Sequence, residues 1–150
     1  MKIGFIGTGV MGTGVINNLL EENTDVTVYN RTKAHAQQVL EAGAKWADSP
    51  ALLAEETDIV FTMVGFPQDV ENVYFGEEGL FKTAKAGQYL IDMTTSKPSP
   101  ARKIGQVGKE KEIHVLDVPV TGGDIGAKNG TLIILVRMLV GNMQKWLIKL

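Results

Sequence analysis

Gly7-Thr8-Gly9-Val10-Met11-Gly12 stands between two kinds of sequence, and the change across it constrains the fold more than any other stretch of the chain. Before it, Lys2-Ile3-Gly4-Phe5-Ile6 is a short β-rich run. After it, Val10 to Leu20 places Met11, Val15, Ile16, Leu19 and Leu20 at helical spacing. A strand must therefore turn sharply and feed a helix, which is the context that gives a G-x-G-x-x-G spacing physical meaning. In that setting Gly7 makes the tight turn, Gly9 lets backbone approach a pyrophosphate, and Gly12 lets the helix close on the strand. The first helical N–H groups lack partners and carry partial positive charge, so a phosphate can sit there without a cationic side chain. The segment Gly7, Gly9, Val10, Met11 and Gly12 is thus a candidate dinucleotide site. Three glycines serving only turn and packing needs is the plainer alternative.

The same strand–helix rhythm continues along the chain. Asp25 to Tyr29 reads as a second strand, and Lys33 to Ala42 as a helix stopped by Gly43. A short Ala44 to Ala47 strand comes next, Ser49-Pro50 opens a helix, and Asp58 to Met63 reads as a buried parallel strand. Pro67 to Tyr74 is the next helix, Gln88 to Asp92 a strand, Pro98 to Lys111 a helix, and Ile113 to Asp117 a sixth strand. Thr131 to Val136 is expected to add an edge strand. Alternation with short connections predicts an α/β fold, a Rossmann-type doubly wound, mostly parallel sheet in a single domain. No repeat or linker-like tract divides residues 1–136, and residues 137–150 form an atypical tail.

The residues just after the second strand bear on which dinucleotide is bound. Eighteen residues beyond Gly12, where an NAD site would place Asp or Glu on the ribose 2′-OH, stand Asn30, Arg31 and Thr32. Arg31 can fork onto a 2′-phosphate, Asn30 and Thr32 can add neutral hydrogen bonds, and no carboxylate stands there to repel the phosphate. NADP(H) is therefore expected over NAD(H). A polar turn capping the helix at Lys33 uses the same residues.

Composition narrows the remaining choices. Fifteen Lys and Arg against seventeen Asp and Glu leave a net charge of -2, which gives no electrostatic basis for nucleic-acid binding. The longest apolar run, Leu132 to Val136, is far too short for a membrane span. With no Cys there is no disulfide frame or thiolate site, and a cytoplasmic location is expected. His35 and His114 are isolated from carboxylate clusters, so no metal is expected. Trp46 and Trp146 read as packing residues.

Ligands of an open α/β sheet lie beyond the carboxyl ends of its strands. Those ends here carry Met63-Val64-Gly65-Phe66-Pro67, Asp92-Met93-Thr94-Thr95 and Asp117-Val118-Pro119-Val120-Thr121-Gly122-Gly123-Asp124-Ile125-Gly126-Ala127. Together with Gly4 to Gly12 and Asn30-Arg31-Thr32, these segments resemble the β-hydroxyacid dehydrogenases. That family includes 3-hydroxyisobutyrate dehydrogenase and, more distantly, 6-phosphogluconate dehydrogenase. The resemblance runs from Lys2 to about Val136. It implies hydride transfer between NADP(H) and a short 3-hydroxy acid or semialdehyde. It further implies that Met63, Val64, Pro67 and Val70 line the adenosine side and that Thr95 sits near the nicotinamide. Thr121, Gly122 and Gly123 would bind the substrate carboxylate. Seven glycines, at positions 4, 7, 9, 12, 122, 123 and 126, then read as site-building.

The resemblance also says what these 150 residues lack. The family's proton donor is a Lys in a G-x-x-G-x-G-x-x-x-K-x-x-N-N pattern on a later helix, and that pattern is absent. Gly105-Gln106-Val107-Gly108-Lys109 does not replace it, and Lys97 and Lys128 read as surface residues. No catalytic residue is therefore assigned. The segment from Arg137 to Leu150 departs from the family and suggests truncation or a frame change. It can form an amphipathic helix, and with Leu132 to Val136 it suggests self-association. Two alternatives stay open: a non-catalytic NADP(H)-sensing or interaction module, and a pyrroline-carboxylate-reductase-like imine reductase, which shares the glycine pattern but not the Asp117 to Gly123 segment.

Overall fold

The structure, a computed structural model, describes residues 1–94 and 98–134. Six parallel strands form the main sheet: β1 (Lys2–Ile6), β2 (Asp25–Tyr29), β3 (Lys45–Trp46), β4 (Ile59–Thr62), β5 (Tyr89–Asp92) and β6 (His114–Asp117). Their spatial order is β3-β2-β1-β4-β5-β6, so the chain winds one way from β1 to β3 and then crosses back to β4. This is the doubly wound order, with its switch point between β1 and β4. Register aligns Ile6 with Tyr29 on one side and with Thr62 on the other, which brings the carboxyl ends of the three central strands level.

Helices α1 (Val10–Glu21), α2 (Gln37–Glu41), α3 (Pro50–Glu56), α4 (Pro67–Phe75), α5 (Pro98–Glu110) and α6 (Gly123–Lys128) cover the sheet. Successive side chains of a strand point to opposite faces, and β1 shows the result directly. Phe5 enters a core with Val15, Ile16, Val26, Val28, Val39 and Ala127, whereas Ile6 enters another with Leu53, Val60, Val70, Tyr74 and Leu90. Full burial of each Val, Leu, Ile or Phe side chain among them contributes roughly 1.5–3 kcal/mol. Gly4 belongs to this packing: a Cβ there would collide with Leu53, so the residue admits α3 to the sheet rather than building a site. Gly126 likewise faces Leu132.

Several local details differ from the sequence reading. The Lys33 to Ala42 helix is a 3-10 turn over Lys33–Ala36 followed by the short α2. Thr32 stands at the N-cap but makes no side-chain capping bond, so the first turn tightens instead. At the other end Gly43, with φ +112°, donates its N–H to Leu40 and closes the helix as expected. Ser49 caps α3 by accepting the Leu52 N–H at 3.2 Å, with Pro50 in the first turn. Of the expected Thr131 to Val136 edge strand, the part among the described residues is not paired with the main sheet. Within the described residues Ile133–Ile134 (β8) pairs antiparallel with Val120–Thr121 (β7) as a separate ribbon. The tail from residue 137 lies outside the described residues. Among the described residues no helix is long and apolar enough to cross a membrane.

Candidate nucleotide-binding site

The carboxyl ends of β1, β2 and β4 frame a cleft of about 860 Å³. Its floor is a set of backbone bonds: Gly7 N–H donates to the Tyr29 carbonyl at 2.9 Å, and Met63 N–H donates to the Ile6 carbonyl at 2.8 Å. Gly7 has φ +104°, and a Cβ on it would collide with the Met63 carbonyl oxygen. A side chain at Gly12 would strike the Gly7 carbonyl, so these two glycines let the chain fold back on itself. Gly9 is different. It is exposed, has φ −68°, and no protein atom lies within 4 Å of where its Cβ would stand.

Nothing in the protein's own packing therefore requires glycine at position 9. The open space lies at the N-cap of α1, a twelve-residue helix with no side-chain cap and no acidic residue in its first turn. A bare backbone cradle at the positive end of a helix fits a pyrophosphate, and a Cβ would intrude upon it.

At the end of β2, Asn30 is committed to shaping the turn. Its Oδ1 accepts the Thr8 N–H at 3.1 Å, and its Nδ2 donates to the Thr32 carbonyl at 3.0 Å. Arg31 extends from the same turn, and its Nη1 donates to Asp69 Oδ1 at 2.9 Å. The expectation that no carboxylate stands near Arg31 is thus corrected. Asp69, on the first turn of α4, is distant in sequence and adjacent in space.

Beyond β4, Met63, Val64, Gly65 and Phe66 line the cleft. The Val64 N–H donates to Thr94 Oγ1 at 3.1 Å, and the Thr94 N–H donates to Asp92 Oδ1 at 2.9 Å. The loop after β4 is in this way held by the end of β5. Burial pushes the Asp92 carboxyl up to about 6; the Thr94 bonds oppose the shift, and the neighbouring Asp117 adds to it. Burial also raises the Tyr74 phenol well above its ordinary range, with the Asp92 charge as a second cause.

The cleft brings together Gly7, Gly9, Asn30, Arg31, Thr32, Met63 and Val64 of the residues expected from sequence. Val10 is exposed on α1, Met11 packs against the core, and Pro67 is exposed at the start of α4. Val70 is wholly buried in the core, where its side chain supports α4 rather than forming the cleft wall. Thr121, Gly122 and Gly123 are exposed on β7 and the start of α6, outside this wall. Gly122 has φ +128°, so this bend needs a glycine whether or not a ligand comes. Thr95 and Lys97 lie outside the described residues. Sequence reading missed Phe66, Asp69, Asn72 and His35 on the cleft wall. Helical phase from Pro67 would have put Phe66, Asp69 and Val73 on one side of α4.

Residues 2–146 match the family model of the NAD binding domain of 6-phosphogluconate dehydrogenase. The chain belongs to that family. An uncharacterised oxidoreductase of Bacillus subtilis, YkwC, is 55% identical to this domain over 134 residues, covering 89% of this chain and 46% of that protein. A probable mitochondrial 3-hydroxyisobutyrate dehydrogenase-like protein of Arabidopsis thaliana is 47% identical, covering 87% and 40%. The structure of an imine reductase from Myxococcus stipitatus in complex with NADP+ superposes with a TM-score of 0.76 at 25% identity, covering 84% and 43%. The domain spans less than half the length of these relatives.

Proposed function

We propose that this domain is the NADP(H)-binding part of a β-hydroxyacid dehydrogenase-type oxidoreductase. The observation that carries the reading is the pairing of an open Gly9 cradle with Arg31 on the wall of one cleft. When bound, the nicotinamide cofactor supplies or accepts the hydride. The chain's own residues bind and orient it. The N-terminus of α1 holds the pyrophosphate, and Arg31, Asn30 and Thr32 meet the 2′-phosphate. Met63 and Val64 contact the adenosine side, and the nicotinamide end is assigned to Thr95 on the family resemblance alone. Thr121, Gly122 and Gly123 hold a substrate carboxylate by a hydroxyl and two backbone N–H groups. The substrate is a 3-hydroxy acid or semialdehyde rather than an imine, and the Asp117 to Ala127 segment supports that choice.

The proton that a carbonyl oxygen needs on reduction has no donor among the assigned residues, since the Lys-bearing pattern is not in this sequence. These 150 residues alone are proposed to bind cofactor and to turn over poorly or not at all. Arg31→Asp tests the cofactor assignment: it should weaken NADPH by at least about tenfold while sparing NADH, the equivalent of about 1.4 kcal/mol. An unchanged ratio of the two affinities contradicts the reading.

A further inference from the structure

Arg31 as a phosphate ligand leaves the carboxylates of the cleft without a role, and of Asp69, Glu77 and Glu78 it is Asp69 that pairs with Arg31. The Asp69 side chain is only 21% exposed, whereas that of Arg31 is 82% exposed. The carboxylate is therefore the fixed partner of the pair. It is seated in the first turn of α4, where the helix end favours a negative charge. The guanidinium, at the end of a long solvated side chain, is the partner free to turn.

Both groups line the same cleft, and they bridge it from the end of β2 to the start of α4. A phosphate that forks onto Arg31 must draw the guanidinium at least partly from Asp69 and lies near a second negative charge. A ribose hydroxyl brings no charge and can instead donate a hydrogen bond to a carboxylate.

We propose that Asp69 is a specificity-determining residue, which competes with a 2′-phosphate for Arg31 and so limits how strongly the cleft prefers NADP(H) over NAD(H). The inference rests on the cofactor reading above and deepens it. Removing the competitor should change affinity by roughly two- to fivefold, the equivalent of about 0.4–1 kcal/mol and within the range of exposed ion pairs.

The experiment titrates NADP+ and NAD+ into the full chain by calorimetry, for wild type, Asp69→Asn, Arg31→Ala and the double variant. Asp69→Asn is expected to tighten NADP+ by roughly two- to fivefold and to leave NAD+ unchanged or weaker. The gain should shrink at high salt, where exposed charges are screened. It should vanish in the Arg31→Ala background, because no guanidinium is left to contest. Asp69→Ser, which also suits a first helical turn, repeats the test if the amide variant folds poorly. A weaker NADP+ complex in Asp69→Asn would mean that Asp69 positions Arg31, and it would overturn the proposal. An unchanged NADP+/NAD+ ratio, or a gain that survives in Arg31→Ala, would overturn it as well. Arg31→Ala alone separates the two levels. If it leaves the ratio unaltered, the cofactor reading fails and takes this inference with it. If it lowers the ratio while Asp69→Asn does not raise it, only the role of Asp69 fails.

Discussion

The backbone N–H of Thr8 donates to Asn30 Oδ1 across 3.1 Å, which fastens the middle of the glycine turn to the residue that succeeds β2. Thr8 is 4% exposed, so its N–H is largely shielded from solvent and depends on that acceptor. The Asn30 side chain also donates through Nδ2 to the Thr32 carbonyl, and one side chain thereby sets both the phosphate cradle and the turn that carries Arg31.

Asn30→Ala should therefore cost about 1–3 kcal/mol, the usual penalty for a buried N–H left without a partner. Cofactor affinity should fall with it, because the turn that presents Arg31 loses its brace. Asn30→Asp keeps the acceptor for Thr8 and places a negative charge beside Arg31. Its denaturant midpoint should stay nearer to wild type than that of Asn30→Ala, while NADPH binding weakens. Urea unfolding and calorimetric titration of both variants check this, and equal stability losses would count against the Thr8 bond.

Two glycines of the turn should respond in opposite ways. Gly12→Ala puts a Cβ against the Gly7 carbonyl and 3.3 Å from the Phe5 ring, so α1 must move off the sheet. A loss of about 1–3 kcal/mol is expected from such crowding. At Gly9 an Ala meets no protein atom and an ordinary backbone conformation, so stability should change by less than about 0.5 kcal/mol. Its cofactor affinity should nevertheless fall by about tenfold, or about 1.4 kcal/mol. Thermal unfolding with and without NADPH distinguishes the two. A Gly9→Ala variant that binds as wild type would remove the cradle from the site.

Asp92 gives a pH dependence whose sign is set by its burial. Its carboxyl titrates at about 6 in the folded protein against an ordinary value of 3.8, so the folded state holds the proton more tightly. The stabilisation from this group is present below about pH 4, declines as pH rises toward 6, and is lost above. That difference corresponds to on the order of 3 kcal/mol. Asp92→Asn keeps an oxygen for the Thr94 N–H and has no proton to lose. Relative to wild type it should gain stability from pH 4 to pH 8, read from urea unfolding at a series of pH values. A difference that stays flat across that range would refute the assignment.

How far the site could be read from sequence depends on the span of each contact. The glycine turn, Arg31 and the order of strands and helices all arise from local patterns, since alternation and glycine spacing act over a few residues. Asp69 did not, because its meeting with Arg31 depends on where α4 lands after β4 crosses back beside β1. The Thr94 hydroxyl that holds Val64 spans two strands in the same way. Val70 was misplaced for a related reason: only packing shows that its face of α4 meets Tyr74 and Leu90 in the core. The β7–β8 ribbon escaped because a two-residue strand carries no period of its own.

A dinucleotide bearing a 2′-phosphate is the proposed occupant of this cleft, and parallel calorimetric titrations of NADPH and NADH into the purified 150-residue chain test that assignment head-on. One site per chain is predicted, with NADPH bound several-fold more tightly and thermal unfolding shifted upward in proportion. No binding of either cofactor, or an NADH affinity equal to or above that of NADPH, would contradict it.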